Sequence, residues 1–366
     1  MLLARRNLFQ DKTRLALSVG GVALAVMLIL LLNGFLAGMN QQISSYLIYS
    51  PGSIIVAQRG VRNLLGATSL LPGGAEDKAE MVDGVTEAIP ILSQFVILDL
   101  HGKKQPAYLI GYDPERGGGP WEIASGREPQ TDREIILDRV LAKRHDLLIG
   151  DVFEVMGQDF TIVGLSEDTT SWMTSFFFIK KSAAEELLRA PGATSFLLVT
   201  LNEEAVLDDV QIRLNDLPGV NALTKTETAA NDISLFAKVF SAPLKLMVGI
   251  AFLVGTLIVG MVIYAATIER QREYGVLRAI GASNRMFYQV VLTQAVFAAL
   301  TGSLAGVLLT YGAAQWIMAA RPQFLIALEP RSTGWALLGG LAMALAAAFF
   351  PARVVARLAP AEVFRK

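Results

Sequence analysis

Hydrophobic positions along this 366-residue chain gather into a few long runs. The first extends from Leu15 to Leu36, with polar side chains only at Ser18 and Asn33. A helix over it, at about 1.5 Å per residue, covers roughly 33 Å, enough for a hydrocarbon core of about 30 Å. Its Leu, Ile, Val and Phe residues, at about 0.3–0.6 kcal/mol each, favour insertion by roughly 4–8 kcal/mol. Arg5, Arg6, Lys12 and Arg14 precede it as the basic region of a signal peptide would. Signal cores run only about 7–15 residues, so this segment is expected to be retained as a span. Further runs cover Leu244–Ile268, Phe287–Thr310 and Thr333–Phe350, the last rich in Ala and Gly and near the minimum length. The pattern predicts an α-helical membrane domain of four transmembrane helices.

Between the first and second runs the period changes. Short stretches of β-branched and aromatic residues recur, among them Ser53–Ala57, Phe95–Leu98, Tyr108–Gly111, Glu134–Leu137, Phe160–Val163, Phe176–Ile179 and Phe196–Val199. Turn signals separate them, as at Pro51-Gly52, Pro72-Gly73-Gly74, Gly117-Gly118-Gly119 and Pro218-Gly219,. Helices are expected over Ser182–Arg189 and Glu203–Leu217. The region reads as a large α+β domain of two lobes, with a middle lobe, about Gly111 to Pro191, inserted into the outer one. At its edges Ile43, Tyr46 and Leu47, and again Ile233, Phe236 and Phe240, recur at helical spacing,. They predict amphipathic stalk helices continuing spans one and two.

Charge orients the spans. Arg5, Arg6, Lys12 and Arg14 flank the first, Arg270, Arg272, Arg278 and Arg285 lie between the second and third, and Arg353, Arg357, Arg365 and Lys366 follow the fourth. The loop between the third and fourth spans carries only Arg321 and Arg331. Basic flanks stay in the cytoplasm, so both termini are expected there and the large domain outside it. The order is then a cytoplasmic segment (1–14), spans at 15–36, 244–268, 287–310 and 333–350, an extracytoplasmic domain (37–243), a cytoplasmic loop (269–286), a short external loop (311–332) and a cytoplasmic tail (351–366). Within the spans, Gly34 with Gly38, Gly302 with Gly306, and Gly339-Gly340 suit close helix approach,.

The chain is 53% hydrophobic and 18% charged, with a net charge of −1 and no cysteine. Such a balance offers no basic field for nucleic acid, and the lack of cysteine removes disulfides and thiolate sites. His101 and His145 stand far apart, so no histidine metal cluster is expected. No carboxylate falls within the four runs, which argues against a proton-coupled carrier,. The chain has no G-x-x-x-x-G-K-[ST] loop, no H-E-x-x-H and no G-x-S-x-G elbow,. No catalytic, cofactor-binding or metal residues are assigned, and the chain is not read as an enzyme.

The loop after span two reads Ile268-Glu269-Arg270-Gln271-Arg272-Glu273-Tyr274-Gly275-Val276-Leu277-Arg278-Ala279-Ile280-Gly281-Ala282-Ser283. It predicts a short amphipathic helix with Val276, Leu277 and Ile280 on its apolar side. Gly281 is placed to end it in a left-handed conformation and Ser283 to cap span three. This string resembles the signature of the FtsX-like permease family, whose members include MacB-type, LolC/LolE-type and DevC-type subunits. The tail from Pro351-Ala352-Arg353-Val354-Val355-Ala356-Arg357 through Ala361-Glu362-Val363-Phe364-Arg365 resembles that family's ending. Gly126-Arg127-Glu128-Pro129, Glu134–Leu137, Ile149-Gly150-Asp151 and Phe160–Gly164 resemble part of its MacB-like periplasmic domain.

The resemblance implies a permease subunit of an ABC transporter in a bacterial inner membrane, working by mechanotransmission. ATP and Mg would reside on a separate cytoplasmic ABC ATPase, since this chain lacks a fused one. Glu269, Arg270, Arg272, Glu273, Tyr274, Gly275, Leu277, Arg278, Ala279 and Gly281 would couple the two. A second permease copy or paralogue, a periplasmic membrane-fusion adaptor and membrane lipids are the other partners implied. The activity implied is export or extraction of an amphipathic or lipid-linked substrate. The alternative is a non-transporting FtsX-like complex that regulates a cell-wall hydrolase or a sensor.

Overall fold

The computed structural model describes residues 12–100, 102–171, 174–269 and 271–357. The chain divides into two compact units, one made of Met1–Gly38 with Phe240–Lys366 and the other of Met39–Val239.

The first unit is helical. Among the described residues, four helices are long and apolar enough to cross a membrane: α1 (Lys12–Tyr49), α6 (Lys225–Glu269), α8 (Asn284–Ala320) and α9 (Pro330–Arg357). Their shared core joins Val22, Val26 and Leu30 of α1, Val259 and Ile263 of α6, Val291 and Ala295 of α8, and Met343 and Ala344 of α9. Small residues let these helices approach closely, as packing in lipid requires. A Cβ on Gly302 would lie 2.8 Å from the Val19 carbonyl oxygen, and one on Gly306 would lie 2.7 Å from that of Ala23. At Gly38 an added Cβ would collide with the Leu325 backbone, while the Ala327 N–H donates to the Gly34 carbonyl at 2.9 Å. A Cβ on Gly340 would collide with the Ser303 side chain, whereas one on Gly339 would meet nothing within 4 Å.

The second unit is α+β. Its strands are β1 (Ile54–Gln58), β2 (Val85–Leu100), β3 (Lys103–Tyr112), β4 (Ile123–Gly126), β5 (Glu134–Asp138), β6 (Val152–Val155), β7 (Gln158–Ser166), β8 (Thr170–Ser171), β9 (Thr174–Lys180), β10 (Phe196–Leu201) and β11 (Val220–Thr224). Short helices α2 (Ala75–Glu80), α3 (Arg139–Arg144), α4 (Lys181–Leu187) and α5 (Leu207–Asn215) pack on them. The described strands run in the order β11-β1-β10-β2-β3-β9-β5-β7-β4, with β6 on β7 and β8 on β9.

Two separate cores define the two lobes. One gathers Ile54, Val56, Ala79, Leu197, Val199, Val210 and Leu214. The other gathers Leu98, Leu109, Ile135, Leu137, Phe160, Ile162 and Phe177. The boundary differs from the one read at Gly111. It lies inside β2, a 16-residue strand. That strand pairs with β10 up to Ile91 and with β3 from Leu92 onward, so β2 and β3 build the middle lobe's core as well.

Asp138 anchors the middle lobe. It is fully buried at the end of β5, where it caps α3 by accepting from the Leu141 N–H at 2.8 Å. Its other contacts are hydroxyl donors from Thr169 at 2.9 Å, Thr170 at 3.0 Å and Ser175 at 3.3 Å. Burial pushes this carboxyl upward and the four donors oppose the shift. A carboxylate so fully supplied with donors serves packing.

Candidate functional site

The segment singled out by its amphipathic pattern follows α6 and forms a short helix, α7 (Gln271–Ala279). Its last turn closes through the Ile280 N–H donating to Val276 O at 3.2 Å and the Ala282 N–H to Leu277 O at 3.0 Å. Gly281 adopts φ 99°, the left-handed geometry that ends a helix at little cost for glycine,. Ser283 occupies the N-cap position of α8, but its side chain makes no capping bond there, contrary to the expected cap.

The apolar side of α7 splits in two, a difference from the single face read in the sequence. Leu277 is half-buried and packs, with Ala282 and Tyr288, against the core of the helical unit. Val276 is 49% exposed and Ile280 77% exposed. Residues at i and i+4 share a helix face, so Arg272, Val276 and Ile280 form one exposed row. Glu269, Glu273, Ala279 and Gly281 are exposed as well, and Gly275 is buried. Arg270 lies outside the described residues, as do the side-chain placements of Tyr274 and Arg278. Also outside are the predicted flanking residues Arg5 and Arg6, His101, and the tail beyond Arg357.

In the α+β unit, the places where the chain enters and leaves are tied together. Lys225, at the start of α6, donates its ammonium to Ser50 O at 2.5 Å and its backbone N–H to Ser53 O at 3.1 Å. A cation at the last carbonyls of α1 satisfies acceptors that the helix leaves unpaired. The predicted stripe Ile43, Tyr46 and Leu47 is buried. Tyr46 donates its hydroxyl to Gly118 O at 2.6 Å and packs on Phe176 with ring centroids 5.5 Å apart, while Tyr49 stacks on Trp121 at 5.0 Å. Burial drives the Tyr46 phenol far above its usual range, so it stays a donor.

At the other edge, Asn231 donates to Arg62 O at 3.1 Å, and the fully buried Asp232 accepts the Leu65 N–H at 3.1 Å. Asp232 precedes the apolar run Leu244–Ile268. Desolvation pushes its carboxyl up to about 7, against the pull of donors from Leu65, Asn63 and Leu64. Sequence reasoning missed Asp232, though a signal was present. Thr228, Asp232 and Phe236 recur at i, i+4 and i+8, which puts the carboxylate within the inward stripe of the helix. Among the described residues, no group of His, Cys, Asp or Glu is arranged to hold a metal ion.

Comparison with known proteins gives a consistent result. Residues 15–217 match the family model of the MacB-like periplasmic core domain, and residues 245–360 match that of the FtsX-like permease C-terminal region. An uncharacterized ABC transporter permease of Mycobacterium tuberculosis is 24% identical over 314 residues, covering 84% of each chain. The ABC transporter permease YtrF of Bacillus subtilis is 26% identical over 230 residues, or 60% of this chain and 52% of that protein. The crystal structure of the periplasmic region of MacB from Actinobacillus actinomycetemcomitans superposes with a TM-score of 0.38 at 12% identity, covering 50% of this chain and 93% of that one.

Proposed function

This chain belongs to the FtsX/MacB-like family of ABC transporter permeases, and we propose that it couples a separate cytoplasmic ATPase to movement of its α+β domain. In this reading both termini and α7 lie in the cytoplasm of a bacterial inner membrane and the α+β domain lies outside. Two permease subunits, identical or paralogous, form one complex with the ATPases, which hold ATP and Mg. The coupling segment is Glu269, Arg270, Arg272, Glu273, Tyr274, Gly275, Leu277, Arg278, Ala279 and Gly281. Nucleotide-driven closure of the ATPases moves the helices that lead into the α+β domain, and that motion exports or extracts an amphipathic or lipid-linked substrate, with a periplasmic adaptor receiving it.

The observation that carries this reading is the exposed row on α7. Val276 and Ile280 hold aliphatic surface out from a helix whose remaining aliphatic residue, Leu277, packs inward. Covering one such side chain at an interface is worth roughly 1.5–3 kcal/mol before ordering costs.

Co-purification of the permease with its ATPase, followed by ATP hydrolysis in reconstituted membranes, tests the proposal. Ile280→Glu should weaken ATPase retention about tenfold or more and abolish stimulation by an amphipathic substrate, while membrane insertion is kept. Asp208→Lys, in the α+β unit, should leave both unchanged. Wild-type retention and wild-type stimulated hydrolysis in Ile280→Glu would overturn the coupling role.

A further inference from the structure

We propose that a cleft in the α+β unit, walled by Phe95, Tyr108 and Phe236, binds the aliphatic chain of a single-chain amphipath whose polar end stays in water. This deepens the export reading above and rests on it. The cleft has a volume of about 460 Å³, within the roughly 300–1,000 Å³ of small-molecule sites,. Its floor is the outward face of β2 and β3, where Phe95 stands opposite Tyr108 in register. Their rings meet edge to face with centroids 5.4 Å apart. Residues 66–68 and Phe236 on α6 complete the lining.

The walls are held in place without a ligand. The Gly66 N–H donates to the Tyr108 hydroxyl at 2.5 Å, which fixes the ring and occupies its oxygen. Burial keeps that phenol protonated. The Leu65 N–H donates to the buried Asp232 carboxylate, so the loop that carries residues 66–68 is pinned from behind.

The choice of ligand follows from the lining. Among the described residues no acidic or basic side chain lines the cleft, and Thr68, Ser93 and Gln94 supply only neutral polar groups. Such a lining favours an uncharged apolar group, because a buried charge there would lose its hydration without a partner. Beyond the mouth the apolar surface continues. On β2 the inward positions Val96, Leu98 and Leu100 are buried, while the outward ones are Phe95 at 47% exposure, Ile97 at 61%, and Asp99. An outward strand face is ordinarily polar, so two large apolar side chains in succession form a rail that the domain's own core does not need. An uncharged cleft that is open to water and extended by such a rail suits a flexible aliphatic chain.

The test uses the full chain in phosphatidylcholine nanodiscs with lysophosphatidylcholine carrying a diazirine at the chain end. After irradiation, adducts should map to residues 66–68, 93–97 and 236 and be displaced by unlabelled lysophosphatidylcholine. Ala67→Trp, at an exposed position on the cleft wall, should reduce them at least tenfold with no change in melting temperature. Adducts spread equally over the exposed Leu148, Ile149, Val152 and Met156, none of which lines the cleft, would overturn the proposal. So would insensitivity to Ala67→Trp, or equal labelling by two-chain phosphatidylcholine bearing the same diazirine. Because the chain lacks cysteine, Thr68→Cys gives a single crosslinking site. Efficient disulfide linkage between permease copies through it would instead assign the cleft to a second copy. If lysophosphatidylcholine still stimulates ATP hydrolysis by the intact complex when the cleft fails these tests, the coupling role stands and only the cleft is refuted.

Discussion

Replacing Asp232 with asparagine should change how the stability of the α+β domain depends on pH. The carboxyl is fully buried and desolvation raises it from 3.8 to about 7. A group that binds its proton more tightly in the folded state adds stability at low pH. That stability is fully present below the unfolded value near 3.8 and is lost as pH rises through about 7. From pH 5 upward the unfolded chain has already released this proton, while the folded chain keeps it until about pH 7. At about 1.4 kcal/mol for each pH unit in that interval, the wild type loses about 2.5 kcal/mol between pH 5 and pH 8. For a domain of about 200 residues, that lowers the melting temperature by about 5–10 °C. The Tyr108 phenol beside it stays protonated throughout, since burial raises it. The assay is thermal melting of the full chain in detergent, followed by near-ultraviolet circular dichroism at pH 5, 6, 7 and 8. Other groups titrate alike in both proteins, so the difference between wild type and Asp232→Asn isolates this carboxyl. Parallel curves for the two proteins would refute the reasoning, because the carboxyl would then be ionised across the whole range.

Three further outcomes are expected. Gly306→Leu should lower the yield of folded protein, because its Cβ would lie 2.7 Å from Ala23 O and 2.9 Å from Val26 Cβ; Gly312→Leu, with nothing within 4 Å, should be tolerated, as detergent-solubilised yields will show. Asp138→Ala removes the acceptor of one N–H and three hydroxyls and should cost about 2–5 kcal/mol, read as a fall in chemical stability of the α+β domain. Reporter fusions should place Gly117 outside the cytoplasm and both termini inside; a cytoplasmic Gly117 would contradict the proposed orientation.

The four long helices were legible because length and hydropathy alone distinguish them, and neither depends on what the helices pack against. Most strands were legible from period and turn residues. The lobe boundary was not. The sequence showed a strand only over Phe95–Leu98, whereas β2 runs from Val85 to Leu100, and nothing in its residues records that its hydrogen-bonding partner changes from β10 to β3 at Leu92. The six-residue helices α2 and α3 are too short to show a period, and each owes its place to the sheet it lies on. β11 (VNALT) is shorter still, with five residues, and it gains its strand through pairing with β1 across most of the domain's sequence.

At the candidate coupling segment the limit was of another kind. The sequence identified Val276, Leu277 and Ile280 as apolar, and their spacing put them on one side of a helix. An apolar side chain leaves water for whichever surface will cover it, and periodicity does not say which surface that is. The fold separates them by a rotation of about 100° per residue: Leu277 turns toward the helical core while Val276 and Ile280, one turn apart, remain outward,. Leu277→Glu would therefore damage the permease's own packing, and a lost association in that variant would carry no information about a partner. Ile280→Glu touches a side chain that the chain's own core leaves exposed, so loss of ATPase binding there reports on the interface.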